Sequence, residues 1–541
     1  MKYYKRTRFF AFIVVVTFSF SSRLALLTAA QEVTPHPATA QAAANALVEI
    51  WEDVTATTIG TTAEWTNKVE LADINGDSLV DILFANGGNY EAAGEPVLSR
   101  VFLNQGAGEL FVEATQAVFG DTRMFARVIK VRDINQDGYV DIMVGTTFQT
   151  QSRLYLGDGT GQFTDVTATN LPQIDASIGD LEFGDVDNDG DLDMVLADWG
   201  AGSPMQNNGG RTMLWINDGA GHFTDVTDSQ MPDILVKFSW ELEFVDVDNN
   251  YALDILVSCK RCSGSFLFEN DGMGEFTDVT DGRLPQFTNN YEFEAMDLNG
   301  DGYLDLTTIN DGLGLREHIF LNNGQGSFED KTDDLFPRLL NAGFDDNVIA
   351  FLDFDSDGDA DFLIGSLDGP DRLIINDGTG HLSSAMMVLN ASLTEGTAGT
   401  LYMALADLNG DGRLDIVEAQ GEVPGAEDER VYFGTKTQPD TAPPVITLVE
   451  NTMPINTDQP VIIRARVHDN KSPTMPHDWQ TVSLKWEANG QMQESVMNWY
   501  GEYLWRGTIA DLPAGTIRCQ ICAMDAAGNE ACSQAQEMTF G

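Results

Sequence analysis

Apolar and polar residues alternate along most of this chain in short runs, separated by turns rich in Asp, Asn and Gly. Leu181-Glu-Phe183 is one such run; a turn crowded with aspartates follows it, and then Met194-Val-Leu-Ala-Asp198. Farther on, Leu214-Trp-Ile-Asn-Asp-Gly-Ala-Gly-His-Phe-Thr-Asp-Val-Thr227 reads as two β-runs joined by a glycine-rich turn, which is a hairpin. Variants of this hairpin begin at Phe102, Leu154, Leu267, Phe320 and Leu373. The strands flanking the aspartate turn, together with the hairpin, make four short strands per repeat, the make-up of a propeller blade.

The aspartate turn recurs seven times, starting at Asp73, Asp133, Asp185, Asp246, Asp297, Asp353 and Asp407, every 51 to 61 residues. Self-similarity at a near-fixed period marks a repeat architecture. After the seventh turn one strand follows at Arg430, and the repeat stops short of its last strand. The missing piece stands at the other end, where Glu49-Ile-Trp-Glu-Asp-Val-Thr55 matches the Phe-Thr-Asp-Val-Thr strand of other repeats. A ring closed by pairing this strand into the last blade explains the split and removes an exposed edge. The predicted fold is all-β: a seven-bladed β-propeller over residues 45–435, closed by an N-terminal strand. A linker with Pro439, Pro443 and Pro444 spans 436–444. Beyond it, segments such as Pro460-Val-Ile-Ile-Arg-Ala-Arg-Val-His468 predict a small β-sandwich over 445–541.

Like charges as dense as those of the aspartate turns repel one another unless a cation offsets them. With the leading aspartate as position 1, side-chain oxygens stand at positions 1, 3, 5 and 9. They belong to Asp73, Asn75, Asp77 and Asp81 in copy 1, and to Asp133, Asn135, Asp137 and Asp141 in copy 2. Copy 3 has Asp185, Asp187, Asp189 and Asp193; copy 4 has Asp246, Asp248, Asn250 and Asp254. Copy 5 has Asp297, Asn299, Asp301 and Asp305; copy 6 has Asp353, Asp355, Asp357 and Asp361; copy 7 has Asp407, Asn409, Asp411 and Asp415. Position 7 adds a carbonyl, and glycine at position 6 supplies the positive φ needed to wrap an ion. Oxygen-only donors in a short loop suit Ca2+, which takes about six to eight oxygens in irregular geometry. Five copies keep the pattern and two are degenerate: Ser78 replaces the glycine of copy 1, and Asn250 and Tyr251 fill positions 5 and 6 of copy 4. An EF-hand needs a bidentate glutamate at position 12. Here that position holds Phe84, Val144, Leu196, Val257, Thr308, Ile364 and Glu418, so these are not EF-hands.

Over about Glu49 to Thr435 these motifs resemble the FG-GAP/VCBS repeats of secreted bacterial proteins and of the integrin α-subunit propeller, with Phe183-Gly184 the clearest remnant of the FG word. The resemblance implies calcium in the loop between strands 1 and 2 of each blade. It also implies a ligand face on the opposite side, built from the loops joining strand 2 to strand 3 and strand 4 to the next blade. The tail Ala523-Met-Asp-Ala-Ala-Gly-Asn-Glu530 resembles the last hairpin of bacterial Ig-like or fibronectin type III modules, which implies a spacer or adhesive unit.

Candidate ligand-binding segments are the long variable connections Asn86 to Arg100, Asp198 to Arg211 and Gln420 to Glu429, with Tyr90, Trp199, Trp240 and Tyr291 in or beside them. Packing between blades is the alternative for each aromatic. Upstream of the aspartate turns, Asp180/Glu182, Glu241/Glu243 and Glu292/Glu294 share strand faces and predict an acidic arc near a central channel. That arc is either a second cation or polar-ligand site or simply a water-filled lining. Trp479, Trp486, Trp499 and Trp505 of the C-terminal module include either a sugar platform or core packing.

Composition narrows the function. A basic start, an apolar run from Phe9 to Phe20 and small residues before Gln31 predict a signal peptide over 1–30, followed by a flexible leader over 31–44. No later apolar stretch has the length of a transmembrane span. The formal charge is −54, from 30 basic against 84 acidic residues. Such a field attracts cations and excludes nucleic acid as a partner. For an exported chain, Cys259–Cys262 and one pair among Cys519, Cys522 and Cys532 are the expected disulfides. No nucleophile elbow, zinc-protease motif or phosphate loop is present, so no catalytic residue is assigned. The expectation is a secreted, non-catalytic adhesion or ligand-binding protein, extracellular, at the cell surface or in the periplasm, with a glycan or protein ligand. The competing class is a carbohydrate-active enzyme such as a polysaccharide lyase on a propeller.

Overall fold

The computed structural model describes residues 50–540 apart from 89, 107–110, 311–314, 342, 390–398, 423–425, 451–459, 489 and 511–514. The expected signal peptide and leader, 1–44, lie outside the described residues. The chain is all-β with propeller-like organisation, and no described helix is long and apolar enough to cross a membrane. In sheet 1 the strands Thr66–Ala72, Asp81–Asn86, Arg100–Leu103 and Val112–Glu113 pair antiparallel in chain order. Sheets 2 to 6 repeat this order from the first strands Ala126–Arg132, Ile178–Gly184, Leu242–Val245, Asn290–Met296 and Asp346–Leu352. Sheet 7 runs through Thr400–Ala406, Asp415–Gln420 and Arg430–Phe433, and takes its fourth strand, Glu52–Asp53, from the other end of the chain. Glu52 pairs with Phe433 and Asp53 with Tyr432. Each first strand packs against the first strand of the next sheet, and the seventh packs against the first, so the sheets close on themselves.

This packing explains the burial pattern. Thr66–Ala72 and Asp81–Asn86 are buried at every residue because neighbouring sheets cover both faces, while the fourth strand Val112–Glu113 is exposed. The hairpin signature has its own physical reason. Its last threonine is a latch: the Thr115, Thr167, Thr227, Thr280 and Thr332 hydroxyls each accept an N–H from the third strand, and Thr55 does so for Val431 across the closing sheet. Its asparagine is a staple between sheets. Asn217, Asn270, Asn322 and Asn376 each donate from Nδ2 to a carbonyl in the aspartate turn of the preceding sheet. Asn104 does the same to Leu408 at 2.8 Å, joining sheet 1 to sheet 7.

Beyond Pro444 the chain forms two further sheets. One holds Val445–Val449, Val461–His468, Leu504–Ile509 and Asn498–Gly501; the other is built on Trp479–Ala488 and Gly515–Asp525. Ile463 and Ala465 of the first share a core with Leu484 and Ile521 of the second. Disulfides join Cys259 to Cys262 and Cys522 to Cys532, and Cys519 is buried and free.

Candidate functional site

All seven aspartate turns lie between the first and second strands of their sheets. The position-1 carboxylate gathers the N–H groups of positions 5 and 6: Asp133 accepts from Asp137 and Gly138 at 3.1 and 3.0 Å, and Asp353 accepts from Asp357 and Gly358 at the same distances. Positions 4 and 6 both take positive φ, as Gln136 (58°) and Gly138 (88°) do. Ser78 (67°) and Tyr251 (69°) adopt the same left-handed conformation, so the two degenerate copies keep the loop shape.

Position 9 does more than offer an oxygen. Asp193 accepts the Val186 N–H at 3.1 Å through Oδ2 and the Asn217 N–H at 2.9 Å through Oδ1. Asp81 and Asp415 bind Ile74 with Asn104, and Leu408 with Gly434, in the same way. All seven position-9 aspartates are buried. Burial pushes their carboxyls up, to about 7 in Asp81 and about 9 in Asp193. The position-9 group thus ties each loop to its sheet. Copies 3 and 6 add Asp191 and Asp359 at position 7. An oxygen of each is buried without a partner, and burial with neighbouring aspartates pushes both carboxyls up to about 7. Carboxylate oxygens of Asp185, Asp187 and Asp193 lie within 4.8 Å of one another, as do those of Asp353, Asp355 and Asp357. Crowded, under-partnered, oxygen-only donors fit a hard divalent cation.

The C-terminal module rests on this face. Arg466, 1 % exposed, donates from Nη2 to the Asp246 carbonyl at 2.9 Å and its Oδ2 at 3.3 Å, and from Nη1 to the Gly302 carbonyl at 3.3 Å. Arg506 pairs with Asp185, and Arg464 donates to Asn188 at 2.8 Å. The Asp185 N–H reaches the Tyr500 carbonyl at 2.8 Å. In copies 3 and 4, therefore, a guanidinium already faces the leading aspartate.

The predicted acidic arc is present inside the ring, but it is mixed with cations. Lys68 bridges Asp180 and Glu241 at 2.8 and 2.9 Å, Arg132 pairs with Glu70 at 2.8 Å, and Lys130 pairs with Glu182. Glu243 and Glu294 complete the arc, and Glu502 of the module joins them around a cavity of about 50 Å³. Burial pushes the carboxyls of Glu243 and Glu294 well up, and that of Glu502 up to about 8.

At the opposite end of the first strands, Tyr90, Trp199, Trp240 and Tyr291 do come together. They pack edge to face or stacked with Phe238, beneath the Lys260 ammonium and the Arg127 guanidinium. Trp199, Trp240 and Tyr291 are at most 2 % exposed, so packing rather than ligand contact accounts for them. In the module Trp486 and Trp505 are likewise core residues. Trp479 and Trp499 pack against that core and, with Trp505, line a cleft of about 590 Å³ between the module and the aspartate turns of sheets 2 and 3, together with Asp133, Gln136 and Asn498.

The FG-GAP-like repeat family matches residues 73–144, 133–196, 246–308 and 353–418, ranges that contain all seven aspartate turns. The chain carries FG-GAP-like repeats. Each matched unit runs from the aspartate turn of one sheet to the second strand of the next. No curated protein matches the sequence. Among solved structures, the FG-GAP-like chain is similar to an Agrocybe aegerita lectin that recognises non-reducing terminal N-acetylglucosamine, at 18 % identity over 61 % of this chain and 81 % of that one (TM-score 0.39). It is also similar to the extracellular domain of a protein described as a hybrid two-component system of B. thetaiotaomicron, at 10 % identity over 91 % of this chain and 57 % of that one (TM-score 0.41). An ancestral GH74 enzyme matches at 11 % identity over 91 % and 64 % (TM-score 0.40). The chain thus spans less than two thirds of the last two, and these likenesses carry nothing about ligand or activity.

Three features of the FG-GAP-like repeats and their module escape a reading of the sequence. The second positive-φ position is hidden because Gly, Gln, Asn and Ser all serve at position 4. The guanidiniums from Arg466 and Arg506 come from a distant domain. A further acidic group, Asp440, Asp469 and Asp525, has oxygens within 4.8 Å of one another and is assembled from the linker and two module strand ends.

Proposed function

We propose that the chain is an exported seven-bladed β-propeller with an Ig-like module, over the boundaries read from the sequence, that carries calcium in its aspartate turns. In this reading it holds a glycan or protein ligand at or outside the cell surface without chemical change. Calcium is proposed at copies 1, 2, 5, 6 and 7, and at copy 3 through Asp187, Asp189 and Asp193, while Arg466 takes the ion's place in copy 4. Bound ions would lower the repulsion among the carboxylates, so their first role is to stabilise the ring.

The observation that carries the ligand reading is the cleft of about 590 Å³ between module and ring. Its size lies in the usual range for ligand sites, and it lies at a domain boundary, where such sites concentrate. Trp479 and Trp499 line it, and Asp133, Gln136 and Asn498 offer hydrogen-bonding groups, a combination suited to a polar, hydroxyl-rich surface.

The test is retention of the protein on a panel of polysaccharides and cell-surface preparations, with calcium and with chelator, alongside an assay for soluble products. Trp479→Ala is expected to weaken retention about tenfold while calcium-dependent melting stays unchanged. Retention unaffected by both Trp499→Ala and Trp479→Ala would remove the cleft from consideration. Release of products would make the protein an enzyme.

A further inference from the structure

The cavity inside the ring lies apart from the aspartate turns and borders the cleft, with which it shares Arg132, Thr474 and Trp499. Its walls come from the first strands of several sheets and, on one side, from the module's turn at Glu502. Of the carboxylates there, Glu182 and Glu241 have ammonium partners in Lys130 and Lys68. Glu243, Glu294 and Glu502 have no ion-pair partner among the described residues. Glu243 is 8 % exposed; its Oε1 accepts the Ala295 N–H at 3.0 Å, and its Oε2 is buried with no partner at all. A buried carboxylate oxygen without a donor is costly and rare in native proteins, and something at the site must satisfy it. Glu502 adds a second anomaly. It stands at φ +44°, a conformation that favours glycine, and its glutamate side chain lines the cavity.

We propose that Glu243, Glu294 and Glu502 hold one divalent cation of hard, oxygen-seeking character, such as calcium, in the cavity inside the ring. About 50 Å³ admits an ion with two or three waters. These three glutamates are not among the groups whose oxygens all lie within 4.8 Å, so part of the coordination runs through water. Because Glu502 belongs to the module and Glu243 and Glu294 to sheets 4 and 5, the ion ties module to ring.

The experiment is an anomalous difference map from crystals of the protein soaked in Tb3+, together with a count of bound calcium per chain by native mass spectrometry. The count is repeated for Glu243→Gln/Glu294→Gln and for Asp353→Asn/Asp357→Asn. A peak in the cavity is expected, and the glutamine variant should lose that peak and one calcium while keeping the peaks of the turns. The asparagine variant should lose a different one, so failure of the turns to bind is read independently of the cavity. Absence of a cavity peak, or an unchanged count in the glutamine variant, would overturn the proposal and leave protons as the neutralising species. If the glutamine variant does not fold, the map of the unaltered protein decides alone.

Discussion

Replacing Arg466 by Met tests whether a side chain stands in for an ion in the fourth aspartate turn. Arg466 and Asp246 are each about 1 % exposed, and burial pushes the aspartate up to about 6 against the pull of the guanidinium. The variant strands the Asp246 carboxylate and removes the donors to the Asp246 and Gly302 carbonyls, at 2.9 and 3.3 Å. Breaking one side of a buried ion pair costs about 3–5 kcal/mol. Asp246→Asn in the same background removes the stranded charge, so a double-mutant cycle in chelator should show a coupling of about 2 kcal/mol or more. The assay is urea unfolding followed by tryptophan fluorescence, repeated with calcium. Once the guanidinium is gone, Asp246, Asp248 and Asn250 are open to an ion, and calcium at about a hundredfold excess over Kd should return roughly 2.7 kcal/mol. That gain should exceed the gain of the unaltered fourth turn. A coupling within about 0.5 kcal/mol of zero, or an identical calcium gain in variant and parent, would refute the substitution of arginine for ion.

Asn104→Ala removes the staple to Leu408 and also a bond to the Val80 carbonyl, leaving buried acceptors worth about 1–3 kcal/mol each. Asn270→Ala does the same at an interior seam, so similar losses in thermal melts are expected, and a much smaller loss for Asn104→Ala would mean the ring is not closed there. Ser78→Gly relieves a left-handed serine that costs about 1–2 kcal/mol, of which glycine's unfolded-state entropy takes back roughly 0.5–1 kcal/mol. Melting should rise, and a fall would contradict the strain. Burial raises Glu502 to about 8 and Glu241 to about 7, above the unfolded carboxylate value near about 4.3. Their contribution is complete below that unfolded value and is lost progressively as pH rises from there to 7 and 8, so in chelator the urea midpoint should fall across that span and level off above it. Glu502→Gln should flatten the fall, and an equally steep one in that variant would remove Glu502 as its source.

What could be read in advance followed the range of each interaction. The aspartate turn, its hairpin and the strand split between the two ends are local patterns repeated many times, so repetition made even Ser78 and Tyr251 recognisable as members of the set. The same repetition concealed roles inside the motif. Asp81 and its counterparts read as a fourth ligand by spacing, and the spacing does not show that both oxygens of Asp81 also accept backbone N–H groups. The Asn of the hairpin looks like turn chemistry, yet Asn217 reaches into the preceding sheet. Trp199 and Trp240 stood out as aromatics near variable loops, and only their packing with Phe238 and Tyr291 showed that no face was left open. Contacts from the module, Arg466 to Asp246 above all, join residues 220 positions apart with no pattern in common. Nothing short of the folded chain brings them together.

The pairing of Asp53 with Tyr432 also sets a schedule. Sheets 1 to 6 draw all their strands from consecutive stretches and can form in the order they are synthesised. The Asn104 staple has no acceptor until Leu408 has emerged, and sheet 7 cannot be completed until Phe433 follows and Glu52–Asp53 finds its partner. A nascent chain therefore carries an open seam with two uncovered sheet faces and an unpaired strand for most of the time of its making, the kind of exposure that invites association with other chains. Closure is a single late event, and any truncation before Phe433 leaves an open arc in place of a slightly smaller ring.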